Sequence, residues 1–128
     1  IGGVLVQAMA PPGIEVIVGM RRDPTFGPLI LFGGGGVYVE ALADVAVRVA
    51  PIDREQAAAM IAETVVGGLL AGARGRSPAD IPALTDLIVR VSDLACAAPE
   101  LAEFELNPVL VHPATEGVTA VDARAVLG

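Results

Sequence analysis

The hydrophobic period of this chain changes twice, and those changes limit its fold more than any single motif does. Up to residue 50 apolar side chains come in short runs or at alternate positions, the spacing that loads one face of a β-strand. Residues 4–9 read as a buried strand closed by Ala10-Pro11-Pro12-Gly13, and residues 14–20 as a second strand. Arg21-Arg22-Asp23-Pro24-Thr25-Phe26-Gly27 turns the second strand into a third, residues 28–32, which runs into four glycines before residues 37–40 resume an extended pattern. In residues 44–50, Val45, Val47 and Val49 share one face while Ala46, Arg48 and Ala50 share the other. At Asp53 the period becomes helical. Asp53 and Gln56 have the spacing of a reciprocal cap, and residues 56–64 are rich in Ala, Met and Ile. A Gly-rich linker over residues 67–75 follows. Ser77-Pro78-Ala79-Asp80 then reads as a helix start with Ser at the cap, and Ile81, Leu84, Leu87, Ile88, Val91, Leu94 and Ala95 mark one helical face until Pro99. Residues 101–111 and 118–126 return to the strand period. Strands, then helices, then strands imply an α+β fold, a mostly antiparallel sheet with helices on one face.

Within 128 residues such a pattern fills one domain, here residues 1–128. Aromatics make up only 3%, so Val, Leu, Ile and Ala must build the core. The net charge is −7 and every basic residue is Arg, which argues against a broad basic surface and hence against nucleic acid as a partner. Cys96 stands alone, so neither an internal disulfide nor a cysteine-cluster zinc site can form, and a reducing, cytoplasmic setting is expected. No apolar run is long enough for a bilayer and no signal-peptide pattern opens the chain, so no membrane role is expected. The chain opens on Ile1 close to an apolar run, which leads us to expect a piece of a longer polypeptide.

The chemistry concentrates in Phe104-Glu105-Leu106-Asn107-Pro108 and Val121-Asp122-Ala123-Arg124. Glu105 and Asn107 are two apart on a strand and share a face. If residues 112–117 close a hairpin with Val111 opposite Val118, Asn107 falls opposite Asp122 and Glu105 opposite Arg124. Three oxygen side chains then meet on one sheet face, as a hard cation such as Mg²⁺ requires. The residues alone leave a second reading open, in which Glu105 pairs with Arg124 and Asn107 organises the turn into Pro108. Gly33, Gly34, Gly35 and Gly36 admit two readings as well: a hairpin turn, or a loop whose backbone N–H groups approach an anion. They match neither a Walker A loop nor a Rossmann fingerprint. Gln7-Ala8-Met9 is a strand end that could offer backbone groups to the edge of a base. Arg21 and Arg22 read as a solvated hairpin tip, Arg74 and Arg76 as a solvated loop, His112 as an exposed turn residue and Cys96 as a buried small hydrophobe.

Several segments occur together in the order and spacing of one family. They are Val4-Leu5-Val6-Gln7-Ala8-Met9-Ala10-Pro11, Gly13-Ile14-Glu15-Val16-Ile17-Val18-Gly19, Arg22-Asp23-Pro24-Thr25-Phe26-Gly27-Pro28 and Phe32-Gly33-Gly34-Gly35-Gly36-Val37. Glu40, Asp44-Val45-Ala46-Val47-Arg48-Val49-Ala50-Pro51, Gly72-Ala73-Arg74-Gly75-Arg76 and Glu103-Phe104-Glu105-Leu106-Asn107-Pro108-Val109-Leu110-Val111 complete the pattern. Over essentially its whole length the chain resembles the C-terminal part of the ATP-grasp domain of ADP-forming acyl-CoA (acetyl-CoA) synthetases, relatives of the succinyl-CoA synthetase β subunit. The same module occurs in multidomain proteins with a lysine acetyltransferase domain.

The resemblance implies an ATP/ADP site with Mg²⁺. Glu105 and Asn107 match the Glu-x-Asn-Pro segment that holds Mg²⁺ on the nucleotide phosphates, and Asp122 matches the third acidic position. Gln7, Ala8 and Met9 match the linker that bonds adenine through its backbone, and Glu15 matches an acidic residue near the nucleotide. Gly33 to Gly36 match a flexible glycine loop near the reacting phosphate, which makes Gly34 and Gly35 catalytic candidates, with Arg48 on a following strand that could face them. The implied reaction converts acid, CoA and ATP to acyl-CoA, ADP and phosphate through an acyl phosphate and a phosphohistidine. Two departures accompany the match: Ala8 stands where family members often carry Glu, and the lysine-bearing N-terminal half of the ATP-grasp domain is absent. The expected partners are that missing subdomain and the CoA-binding domains, while a surface left bare by their absence could pair two copies as a homodimer. The rival reading is a non-catalytic nucleotide-sensing or scaffolding module.

Overall fold

The computed structural model describes residues 13–35 and 44–128. Its first hairpin pairs β1 (Ile14–Asp23) with β2 (Gly27–Gly34), with Ile17 opposite Gly33 and Asp23 opposite Gly27. Asp23 makes the turn, its carboxylate accepting the backbone N–H groups of Thr25 and Phe26 at 2.7 and 2.9 Å. Gly27 completes it at φ +81°, a conformation that side chains disfavour. β2 then pairs with β3 (Val45–Val49), and β1 pairs on its other side with β4 (Leu101–Val111). β4 carries two partners along its length: β5 (Val118–Ala120) beside its C-terminal half and β6 (Ala123–Leu127) beside its N-terminal half. The sheet order is β3-β2-β1-β4-β5 with β6 on β4, and every pairing is antiparallel.

Between β3 and β4 lie α1 (Arg54–Ala62), α2 (Val65–Leu70), a short 3₁₀ turn (Ala73–Gly75) and α3 (Ile81–Ala97). Asp53 and Gln56 form the expected capping box of α1. The cap of α3 is Asp80, not Ser77: its carboxylate accepts the Ala83 N–H at 3.1 Å, and Pro82 sits in the first turn. The glycine stretch expected to be a linker is partly helical. Gly67 belongs inside α2 because a Cβ there would lie 1.8 Å from the Ile61 carbonyl oxygen, so only glycine lets the two helices abut so closely.

The described helices cover one sheet face. Val16, Val18 and Met20 of β1, Ile30 and Phe32 of β2, Ala46 of β3 and Leu106, Val109 and Val111 of β4 meet Met60, Ile61, Leu84, Ile88 and Val91 in one core. Polar groups buried on this side are all bonded. Ser92 accepts the Ile52 N–H at 2.9 Å, and Asp44 caps α2 through the N–H groups of Val65 and Val66 at 2.8 and 2.9 Å. Arg22, expected at a solvated tip, instead donates to the carbonyls of Ala95, Ala98 and Leu101 at 2.9–3.0 Å, closing the C-terminal end of α3. His112 is buried rather than exposed. Its Nε2 lies 2.8 Å from Thr119 Oγ1, and its carbonyl accepts the Asp80 N–H. Cys96 is exposed on α3. Among the described residues no helix is long and apolar enough to cross a membrane.

Candidate functional site

Strand alternation sends the complementary set of side chains to the face opposite the described helices. Ile17, Gly19 and Arg21 of β1, Leu31 and Gly33 of β2, Val45 of β3, Glu103 and Glu105 of β4 and Arg124 of β6 line an open cleft of about 180 Å³ there. Gly19 lies between Leu31 and Glu105 in register, and Ile17 lies opposite Gly33. The two glycines lower the floor of the cleft, and Ile17, Leu31 and Val45 make it apolar. Its charged end is built from Arg21, Glu103, Glu105 and Arg124. Gly19 was not singled out by sequence reasoning, although a glycine inside a strand pattern is itself a sign of close approach to backbone or ligand.

The hairpin register holds along its whole predicted length. Val111 pairs with Val118, Leu106 with Ala123 and Glu105 with Arg124, while the Asn107 N–H donates to the Asp122 carbonyl at 3.1 Å. β4 bulges against β1 at this point: Val18 faces Leu106 and Val16 faces Val109, so Asn107 and Pro108 together oppose Ile17. The Asn107–Pro108 peptide is cis. Asn107 and Asp122 are both exposed, each two residues along the chain from the cleft-lining Glu105 and Arg124, and the Asp122 carboxylate accepts the Ala123 N–H at 2.8 Å. The alternative partner of Glu105 is present as well. Arg124 Nε stands 4.0 Å from Glu105 Oε1 and Arg124 Nη2 stands 3.5 Å from Glu103 Oε1, contacts of the weak, solvent-screened kind.

Among the described residues no three His, Cys, Asp or Glu side chains cluster into a cation cage. As a donor set, two carboxylates and an amide suit Mg²⁺, which keeps waters and binds through one or two carboxylates plus substrate phosphates. Glu15 is exposed on the same face one pair further along, and the Gly35 N–H donates to its carbonyl at 3.0 Å.

Two expectations are corrected. Gly33 and Gly34 end strand β2 rather than forming a loop, and the Gly34 N–H is bonded to the Asp44 carbonyl at 3.3 Å. With the Gly35 N–H also engaged, Gly34 and Gly35 do not present free amides to a phosphate. Their chemistry is steric: a Cβ on Gly33 would meet the Asp44 carbonyl at 2.5 Å, and one on Gly35 the Glu15 backbone at 3.0 Å. Arg48 faces away from the cleft. It shares the helix-covered face with Ala46 and forms a two-pronged pair with Glu63, at the end of α1, at 2.7 and 3.1 Å. That pair raises the Arg48 pKa and lowers that of Glu63, in both cases chiefly through the hydrogen bond. Gln7, Ala8, Met9 and Gly36, and the strands expected over residues 4–9 and 37–40, lie outside the described residues.

A mostly antiparallel sheet with helices on one face and a cleft on the other is the architecture of ATP-grasp-type domains. The chain belongs to the ATP-grasp domain family, whose model matches residues 1–127. It is 54% identical over 128 residues to the ADP-forming acetate–CoA ligase I of Archaeoglobus fulgidus, covering all of this chain and 18% of that protein. It is 50% identical over 125 residues to the β subunit of ADP-forming acetate–CoA ligase I from Pyrococcus furiosus, covering 98% of this chain and 53% of that subunit. Acetyl-coenzyme A synthetase 1 of Ca. Korarchaeum cryptofilum, solved with coenzyme A and Mg-AMPPCP, superposes with a TM-score of 0.86 at 46% identity, over 93% of this chain and 55% of that one. The chain thus spans about half the length of the β subunit it matches and a smaller share of the single-chain relative.

Proposed function

We propose that the sheet face opposite the described helices is the metal- and nucleotide-holding wall of an ADP-forming acyl-CoA synthetase, a ligase, with residues 1–128 as the C-terminal subdomain of its ATP-grasp domain. The observation that carries the reading is the β4–β6 register. It sets Asn107 across from Asp122 beside Glu105, which lines a cleft with an apolar, glycine-lowered floor. Relatives named as ADP-forming acetate–CoA ligases, and a neighbour solved with Mg-AMPPCP and a phosphohistidine segment pointing towards its nucleotide site, support the same assignment.

Catalysis of phosphoryl transfer is mostly positioning and charge neutralisation. Bound Mg²⁺ would supply positive charge to the phosphate oxygens. Glu105, Asn107 and Asp122 would hold it, Ile17, Leu31 and Val45 would bury the flat parts of the nucleotide, and Gly19 and Gly33 would let them lie close to the sheet. By their match to the family's nucleotide linker, Gln7, Ala8 and Met9 are assigned to the base and Glu15 to the neighbourhood of the nucleotide. The rest of the reaction, from acid, CoA and ATP to acyl-CoA, ADP and phosphate through an acyl phosphate and a phosphohistidine, belongs to the other half of the ATP-grasp domain and to CoA-binding domains. Those partners seat over the open face, where Val45, Val47 and Val49 are 43–48% exposed. A second copy is the alternative occupant when they are absent. The lone, exposed Cys96 suits work in the reducing cytoplasm.

In the full-length synthetase, Glu105→Gln and Asp122→Asn are expected to lower nucleotide-dependent acyl-CoA formation by about 100-fold or more, the scale of losing a group that stabilises transferring charge. Wild-type rates in both variants would refute the assignment.

A further inference from the structure

Arg124 stands where its charge has a use beyond an ion pair. It is 65% exposed at the side chain, it lines the cleft, and it sits directly across from Glu105. Its guanidinium reaches two carboxylates without closing fully on either, at 3.5 Å from Glu103 and 4.0 Å from Glu105. Glu103 has a second cation in register, Arg21, on the neighbouring strand. Arg124 is therefore flanked on one side by Glu103, a carboxylate outside the proposed metal set. On the other it faces one that the proposed metal would claim.

We propose that Arg124 is a switchable counter-ion: it neutralises Glu105 while the cleft lacks metal, and it turns onto the phosphates of the nucleotide when Mg²⁺ takes Glu105. This inference rests on the reading of Glu105 as a metal ligand. Loading the metal removes the partner at 4.0 Å, and the guanidinium, still held by Glu103, is left with unused donors in a fork suited to phosphate oxygens. The Mg-nucleotide still carries net negative charge, which the freed guanidinium meets, and Glu103 keeps Arg21 in register beside it. A chain with no Lys has only Arg to supply a long-reaching positive charge on this face, and among the described residues lining the cleft those are Arg21 and Arg124.

The role predicts opposite shifts in two affinities, which a merely structural residue would not produce. In the full-length synthetase, calorimetry with Mn²⁺ alone reads metal affinity, and calorimetry with a non-hydrolysable Mg-ATP analogue reads nucleotide affinity. Arg124→Gln is expected to tighten the metal alone about threefold, because a nearby positive charge has gone. It is expected to weaken the Mg-nucleotide about tenfold, because a charge-assisted bond to phosphate has gone. Arg124→Lys keeps the charge without the fork, so metal affinity stays near wild type and nucleotide affinity recovers in part. Unchanged nucleotide affinity in Arg124→Gln, both affinities falling together, or Lys behaving like Gln would each overturn the inference. Glu105→Gln is the control for the underlying reading. If it abolishes metal binding while Arg124→Gln is silent, only the switch fails. If it leaves metal binding intact, the assignment of the site itself fails.

Discussion

Arg21 and Arg22 are neighbours in sequence and serve opposite faces of one sheet. Arg22 turns under α3 and closes three carbonyls, whereas Arg21 points into the cleft across from Glu103. The same division runs along the sheet. Val16, Val18 and Phe32 are fully buried beneath the helices, while Ile17, Gly19, Leu31 and Gly33, interleaved with them, floor the cleft. One face is closed by packing and its substitutions act on stability. The other is left open, and its substitutions act on what the protein holds. Alternation separates the two so cleanly that adjacent residues can be used to test it.

The largest expected contrast is Phe32→Ala against Leu31→Ala. Phe32→Ala opens a cavity in the core and costs about 3–5 kcal/mol in equilibrium denaturation. Leu31→Ala costs about 1 kcal/mol or less and instead weakens nucleotide binding by calorimetry. Equal destabilisation by both would break the division. Next is Arg22→Ala against Arg21→Ala. Removing Arg22 strips its bonds from the carbonyls of Ala95, Ala98 and Leu101 between the end of α3 and β4 and costs about 1–3 kcal/mol, while removing Arg21 stays within about 0.5 kcal/mol.

The smallest effect is a pH dependence on the helix-covered side. The hydrogen bond from Arg48 lowers the Glu63 pKa, so the pair's contribution is present above the ordinary carboxylate pKa. It is lost as pH falls through the lowered folded value. Glu63→Gln should therefore differ slightly from wild type in thermal unfolding at neutral pH, with the difference vanishing in acid and shrinking with added salt. A difference that grows on acidification would contradict the pairing.

These contrasts also show why some of the molecule was legible in the sequence. The β4–β6 register followed from one turn, because a period of two fixes every later pair once Val111 meets Val118. The capping box at Asp53 was equally local. Arg48 was misread for a different reason. Alternation correctly set Arg48 and Ala46 against Val45 and Val47, but no local pattern tells which face the helices will cover; the small Ala46 packs beneath them and the valines stay bare. The glycine run was ambiguous because glycine carries no side chain to reveal a period. Only their neighbours, the Asp44 carbonyl and the Glu15 backbone, show Gly33, Gly34 and Gly35 to be strand end and close contact rather than loop. Asp80 and His112 escaped notice because their partners are distant: Asp80 joins the start of α3 to Gly117 as well as to His112.

The central claim, that the open face holds metal and nucleotide while the covered face holds the fold, is tested most directly by one paired measurement on Glu105→Gln in the full-length synthetase. Nucleotide affinity is measured with and without Mg²⁺, and thermal unfolding is followed on the same samples. The account predicts that Mg²⁺ no longer tightens nucleotide binding while the unfolding midpoint stays at the wild-type value. An intact Mg²⁺ dependence, or its loss only together with a collapse of the midpoint, would contradict it.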